Sequence, residues 1–196
     1  ALRHRDFRLF WSGQFVSQTG SWMQTIAQAW LILKLTDSPF ALGSVTMLQF
    51  SPILLFSLFG GVVADRLPKR RLLIFTQTAM MVQALVLGLL VWAGLIQLWH
   101  VYLLALSLGI LTALDNPARQ TLVTELVPTD DFSNAVSLNA LMFNSSRMFG
   151  PAIGGLTIAA FGVAGCFLLN SASFVCVVIS LLLMRAPLGV TGGRDK

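Results

Sequence analysis

Long apolar runs separated by clusters of charge organise this chain. From Leu9 to Leu33, and again from Ser38 to Ala64, there is no Asp, Glu, Lys or Arg. Each run exceeds the roughly 20 residues that carry a helix across a bilayer. The run from Leu72 to Leu114 is also free of charge, but as one helix it would rise about 65 Å, twice the hydrocarbon thickness. It must turn, and Ala93-Gly94-Leu95-Ile96-Gln97 is the place. From Phe132 to Met184 only Arg147 is charged, and that run must turn as well, at Phe161-Gly162-Val163-Ala164-Gly165. The pattern predicts helices at 9–33, 40–64, 72–93, 99–118, 132–160 and 164–184, a single domain over 1–196. The fold class is an all-α membrane protein, a bundle of six transmembrane helices. Segment 119–131 is too long for a turn. Leu122, Val123 and Leu126 predict one face of a short surface helix there, stopped by Pro128. Thr129, Asp130 and Asp131 suit the N-terminus of helix five.

Composition fixes the solvent. Of 196 residues, 56% are hydrophobic and 11% charged, where a soluble domain averages about 25% charged. The mean hydropathy is +0.78. Lipid is therefore expected to cover most of the surface. A formal net charge of +5 would suggest nucleic acid in a soluble protein. Here the basic residues lie between apolar runs, so we expect no nucleic-acid partner. Of the 13 Lys and Arg, Lys34 falls on one side and Arg147 within a span; all others fall in the N-terminal tail, 65–71, 119–131 or after Met184. That asymmetry predicts both termini on the cytoplasmic side. Trp30, Trp92, Trp99 and Tyr102 lie near the predicted outer boundary, where amphipathic rings sit. Cys166 and Cys176 are isolated in apolar sequence and are expected to pack. His4 and His100 stand alone, with no nucleophile–base pair or metal cluster, so neither an enzyme nor a cofactor is expected. The first apolar run is too long for a signal-peptide core. An opening Ala1 in place of Met leads us to expect a few preceding residues.

Polar residues inside the spans are the candidate functional groups. Gln14, Gln18, Ser21, Thr25 and Gln28 recur every three or four residues, one face of helix one, and Asn139 and Asn144 add amides on helix five. They suit interhelical hydrogen bonds or the wall of a hydrated cavity. Asp115 and Arg147 are placed deep in helices four and five. A charge there costs about 2.5 kcal/mol or more and usually faces a polar interior. Burial disfavours the Asp115 charge and a nearby Arg favours it, so such a group can bind and release a proton. A structural pair or cap involving Asp115, Asn116 and Arg119 is the competing reading.

Two motifs remain. Gly61-Val62-Val63-Ala64-Asp65-Arg66-Leu67-Pro68-Lys69-Arg70-Arg71 lies at the turn between helices two and three. Composition alone reads it as a topology anchor touching lipid headgroups. Arg147-Met148-Phe149-Gly150-Pro151-Ala152-Ile153-Gly154-Gly155 lies in helix five. There Gly150 and Gly154 form a small-xxx-small face, and Pro151 removes a backbone donor. The first motif resembles the signature loop of the major facilitator superfamily, with Gly61, Asp65, Arg66, Lys69 and Arg70 matching, and Pro68 standing where that family usually has Gly. The second resembles the Gly-Pro-x-x-Gly-Gly motif of its exporter branches. Asp115-Asn116-Pro117-Ala118-Arg119-Gln120 resembles the drug:proton antiporter group that includes macrolide and siderophore exporters.

The resemblance implies one half of a twelve-helix transporter, with the substrate between two six-helix halves. It implies a conformational latch in which Asp65 and Arg70 hold an outward-open state, a cavity lined by helices one and four, and proton coupling through Asp115 and Arg119. The expected function is proton-coupled efflux of amphipathic small molecules across a bacterial inner membrane. A second six-helix half is required, either a second copy of the chain or a C-terminal half of a longer one. The alternative is a non-transporting membrane interaction protein.

Overall fold

A computed structural model describes the backbone of residues 1–66 and 68–184, and the side chains of residues 1–56 and 68–184. These residues form helices α1 (Arg5–Thr36), α2 (Pro39–Arg66), α3 (Lys69–Trp92) and α4 (Leu98–Glu125). A short 3₁₀ turn, Thr129–Asp131, follows, and then a helical stretch Phe132–Leu183. That stretch is broken at Gly162, whose φ of 72° and ψ of 179° interrupt the helix. Only glycine occupies that region comfortably. We therefore treat residues 132–161 as α5 and residues 163–183 as α6.

Local sequence explains the breaks. Asp37 ends α1 in the left-handed conformation, φ 48°. Ser38 then accepts the Ala41 N–H at 3.4 Å, with Pro39 as the first residue of α2, the expected roles of a short hydroxyl and of a residue lacking a donor. Gly94 turns the chain after α3 at φ 70°.

By length and composition, four stretches among the described residues can cross a membrane: Pro39–Phe56, Lys69–Trp92, Leu98–Glu125 and Thr129–Leu183, the last containing the Gly162 break. α1 is not one of them, because its polar residues lower its apolarity. Charge-free runs mark apolar length, not helical length. Thus α1 extends beyond 9–33, and α4 beyond 99–118. No separate surface helix forms at 119–131; α4 runs on to Glu125. Leu122, Val123 and Leu126 are buried in the core, not laid on a membrane surface. Asp131 makes no capping bond at the start of α5. It is bound instead by the start of the chain, with His4 Nε2 at 2.7 Å and Arg3 Nη2 at 3.0 Å.

α1 lies between α5 and α6. Gly150 of α5 meets Trp22 and Thr19, while Gly13 and Gly20 meet Ser180 and Asn170 of α6. α3 packs on α6, with Gly88 against Leu168, and α2 packs on α4, with Gly109 against Gln49. Three apolar clusters are buried in the bundle, the smallest of Met80, Ala84 and Phe174, and the two larger ones close it. One joins Phe7, Phe10, Leu73, Leu122 and Leu181; the other joins Leu31, Ile32, Val45, Leu87 and Phe167. Buried polar side chains occupy the level between them. Cys166 is buried, whereas Cys176 is exposed, so packing accounts for only one of the two thiols.

Candidate functional site

The polar level opens into a cavity of about 330 Å3 bounded by all six helices, within the roughly 300–1,000 Å3 of small-molecule sites. Gln14, Gln18, Ser21, Thr25 and Gln28 all line it. They share one face of α1, as helical spacing places them. Asn139 and Asn144 instead line an adjoining hollow of about 400 Å3, which meets the first at Asn116, Arg119 and Phe143.

Asp115 lies behind the cavity wall with no exposed surface. Thr76 Oγ1 and Gln77 Nε2 donate to its Oδ1 at 2.7 and 2.8 Å. Arg119, one turn later on α4, donates from Nε to Oδ2 at 3.1 Å and also contacts that oxygen through Nη2. Its Nη1 donates to Gln18 Oε1 of α1 at 3.1 Å. One carboxylate therefore ties α3 to α4, and its counter-ion ties α4 to α1. Burial of a charge is tolerated when its lone pairs are taken up in this way. Arg147 does not join the cluster. It is exposed, with its guanidinium carbon 5.7 Å from the Trp22 ring centroid, within cation–π range.

A second network was not evident in the sequence. Asn170 Nδ2 donates to Gln24 Oε1 at 2.6 Å, and Gln24 Nε2 donates to Gln83 Oε1 at 3.3 Å, joining α6, α1 and α3. Gln28 Nε2 donates to Gln49 Oε1 on α2 at 3.2 Å. The available signal was the amides within the apolar runs, Gln24 on α1, Gln83 on α3, Gln49 on α2 and Asn170 on α6.

In the helix-five motif, a methyl on Gly150 would lie 2.5 Å from Trp22 Cβ, and one on Gly154 would lie 3.3 Å from Met23. These two glycines are where α5 meets α1. A methyl on Gly155 would meet nothing within 4 Å. Pro151 is accommodated inside the helix.

In the turn motif, the side chains of Gly61, Asp65 and Arg66 lie outside the described residues. Lys69 is buried and reaches Glu125 at 3.7 Å. Arg70 donates from Nε to the Leu181 carbonyl at 2.7 Å and from Nη2 to that of Leu182 at 3.0 Å. A cation thus sits on the unsatisfied carbonyls at the end of α6, where the helix dipole favours it. At the same end, the hydrogen bond from His4 lowers the Asp131 pKa from the ordinary 3.8, with Arg3 adding to it and desolvation opposing it.

Comparison with known proteins agrees with this architecture. A family described as transmembrane secretion effector matches residues 1–188. The staphyloferrin A transporter of Staphylococcus aureus is 30% identical over 177 residues, covering 90% of this chain and 44% of the relative. Macrolide efflux protein A of Streptococcus pyogenes is 22% identical over 181 residues, covering 92% and 45%. The enterobactin exporter EntS of Shigella boydii is 25% identical over 183 residues, covering 93% and 44%. The chain spans less than half the length of these relatives.

Proposed function

The chain belongs to the transmembrane secretion effector family of the major facilitator superfamily, and from that membership we propose that it forms one six-helix half of a proton-coupled exporter of amphipathic small molecules. The family is one of transporters, not enzymes. Relatives named as transporters or exporters of staphyloferrin A, macrolides and enterobactin support efflux. Relatives more than twice as long support a second half that completes the cavity. We place that half in a longer form of this chain or in a second copy. Bacterial relatives support a bacterial inner membrane, and Lys and Arg gathered in the tails and alternate turns of the sequence support both termini in the cytoplasm.

The observation that carries the proton coupling is the buried Asp115–Arg119 pair in the cavity wall. Protonation of Asp115 removes the charge that holds Arg119. The guanidinium is then free to move with Gln18, loosening the tie between α4 and α1. Deprotonation re-forms the pair. A proton and a substrate compete in this way for the state of one wall, which is what antiport requires.

The test uses the full-length natural protein in proteoliposomes with an imposed pH gradient. Coupled efflux should collapse when an ionophore dissipates the gradient. Asp115→Asn should keep passive exchange while losing gradient-driven accumulation. Robust efflux unaffected by the ionophore would exclude the coupling. Crosslinking in membranes addresses the second half. A monomeric six-helix chain that transports would rule out the two-half arrangement.

A further inference from the structure

We propose that the cavity selects substrates carrying carboxylate or other anionic oxygen groups and rejects lipophilic cations; this rests on the export reading of the same site. The first observation is charge. Arg119 is the one charged residue lining the cavity, and no carboxylate lines it among the described residues. Asp115 balances Arg119 from behind the wall, and both its oxygens are already engaged. A cationic ligand would find no free carboxylate, whereas an anionic one would meet the Nη1 side of the Arg119 guanidinium, whose Nε and Nη2 stay on Asp115. Arg119 Nη1 is held only by the neutral Gln18 amide, which an anion can displace. Arg147, outside the cavity lining, stacks a second cation on the ring of the cavity-lining Trp22.

The second observation is independent of charge. Among the amides of the wall, the oxygens of Gln18, Gln24 and Gln49 already accept hydrogen bonds. Two buried donors, Gln14 Nε2 and Trp22 Nε1, have no partner, against one unpartnered acceptor, Gln77 Oε1. All three residues line the cavity, and the Gln14 side chain is almost fully buried. Buried polar atoms are nearly always satisfied. With two spare donors against one spare acceptor, the wall is biased towards a ligand rich in acceptor oxygens.

The experiment follows carboxyfluorescein, a polyanion, and tetraphenylphosphonium, a lipophilic cation, in proteoliposomes of the full-length natural protein. Carboxyfluorescein should accumulate at least tenfold above protein-free vesicles, with tetraphenylphosphonium at background. The charge-neutral double variant Asp115→Asn/Arg119→Gln should weaken saturable carboxyfluorescein binding, read by anisotropy in detergent, by tenfold or more. Arg147→Gln, at an exposed position, should weaken it several-fold and guards against misfolding of the buried double variant. Accumulation of the cation alone, or of both probes equally, overturns the selectivity and leaves the export reading standing. Movement of neither probe overturns the export reading, and this inference with it.

Discussion

Replacing Arg119 alone strands the Asp115 carboxylate in a low-dielectric site where Thr76 and Gln77 cannot neutralise it. Removing one partner of a buried pair typically costs about 3–5 kcal/mol, while removing both charges together costs far less. We therefore expect Arg119→Gln to lower the melting temperature in detergent markedly. Asp115→Asn/Arg119→Gln should recover most of the loss, and a double variant no more stable than the worse single one would refute the pairing. A second prediction at this scale concerns Asp131. Its folded pKa is lowered below 3.8. Its contacts with His4 and Arg3 therefore contribute stability at pH values above 3.8, and that stability is lost as pH falls through the lowered value. Amide exchange in residues 1–8 should quicken in that acidic window, and Asp131→Asn should quicken it already at neutral pH.

At the scale of the helix, α5 and α1 meet where Gly150 lets a backbone approach. Gly150→Ala must push Trp22 or the Thr19 carbonyl aside, and overpacking of that kind costs about 1–3 kcal/mol. Gly155→Ala, with open space around it, should hold or slightly raise the melting temperature, since Ala inside a helix is favoured over Gly by about 0.5–1 kcal/mol. Equal effects of the two would remove the packing account of this motif. Arg70 ties the start of α3 to the end of α6 through two charge-assisted bonds. Such bonds contribute about 1.5–3 kcal/mol each at most. We expect Arg70→Ala to fray the end of α6, seen as faster exchange over 179–183, while the middle of α6 stays protected.

For the molecule as a whole, one side of the bundle is polar and the other faces away with apolar side chains. Met47 is 73% exposed and Leu156 73%, whereas Gln18 looks into the cavity. In membranes, with Cys166 and Cys176 first replaced by Ala, a cysteine placed by Gln18→Cys should react with a hydrophilic maleimide, and Met47→Cys and Leu156→Cys should not. Equal labelling of all three would mean that the cavity is not the water-filled side.

Sequence by itself determined the lipid-solvated class of this protein, since long apolar runs with charges, Arg147 apart, between them are of the length that spans a bilayer as helices. It also placed the α1 stripe on one face, because helical periodicity follows from spacing alone. Tertiary structure decided what those residues meet. That Thr76 and Gln77 bond Asp115, that Gln24 bonds Asn170 across the bundle, and that Arg70 reaches the end of α6 all depend on contacts between distant segments, whereas the Asp115–Arg119 pair, one turn apart on α4, is already legible in the sequence. Leu122, Val123 and Leu126 show the same limit: an apolar face predicts burial, and only packing tells whether lipid or a neighbouring helix covers it.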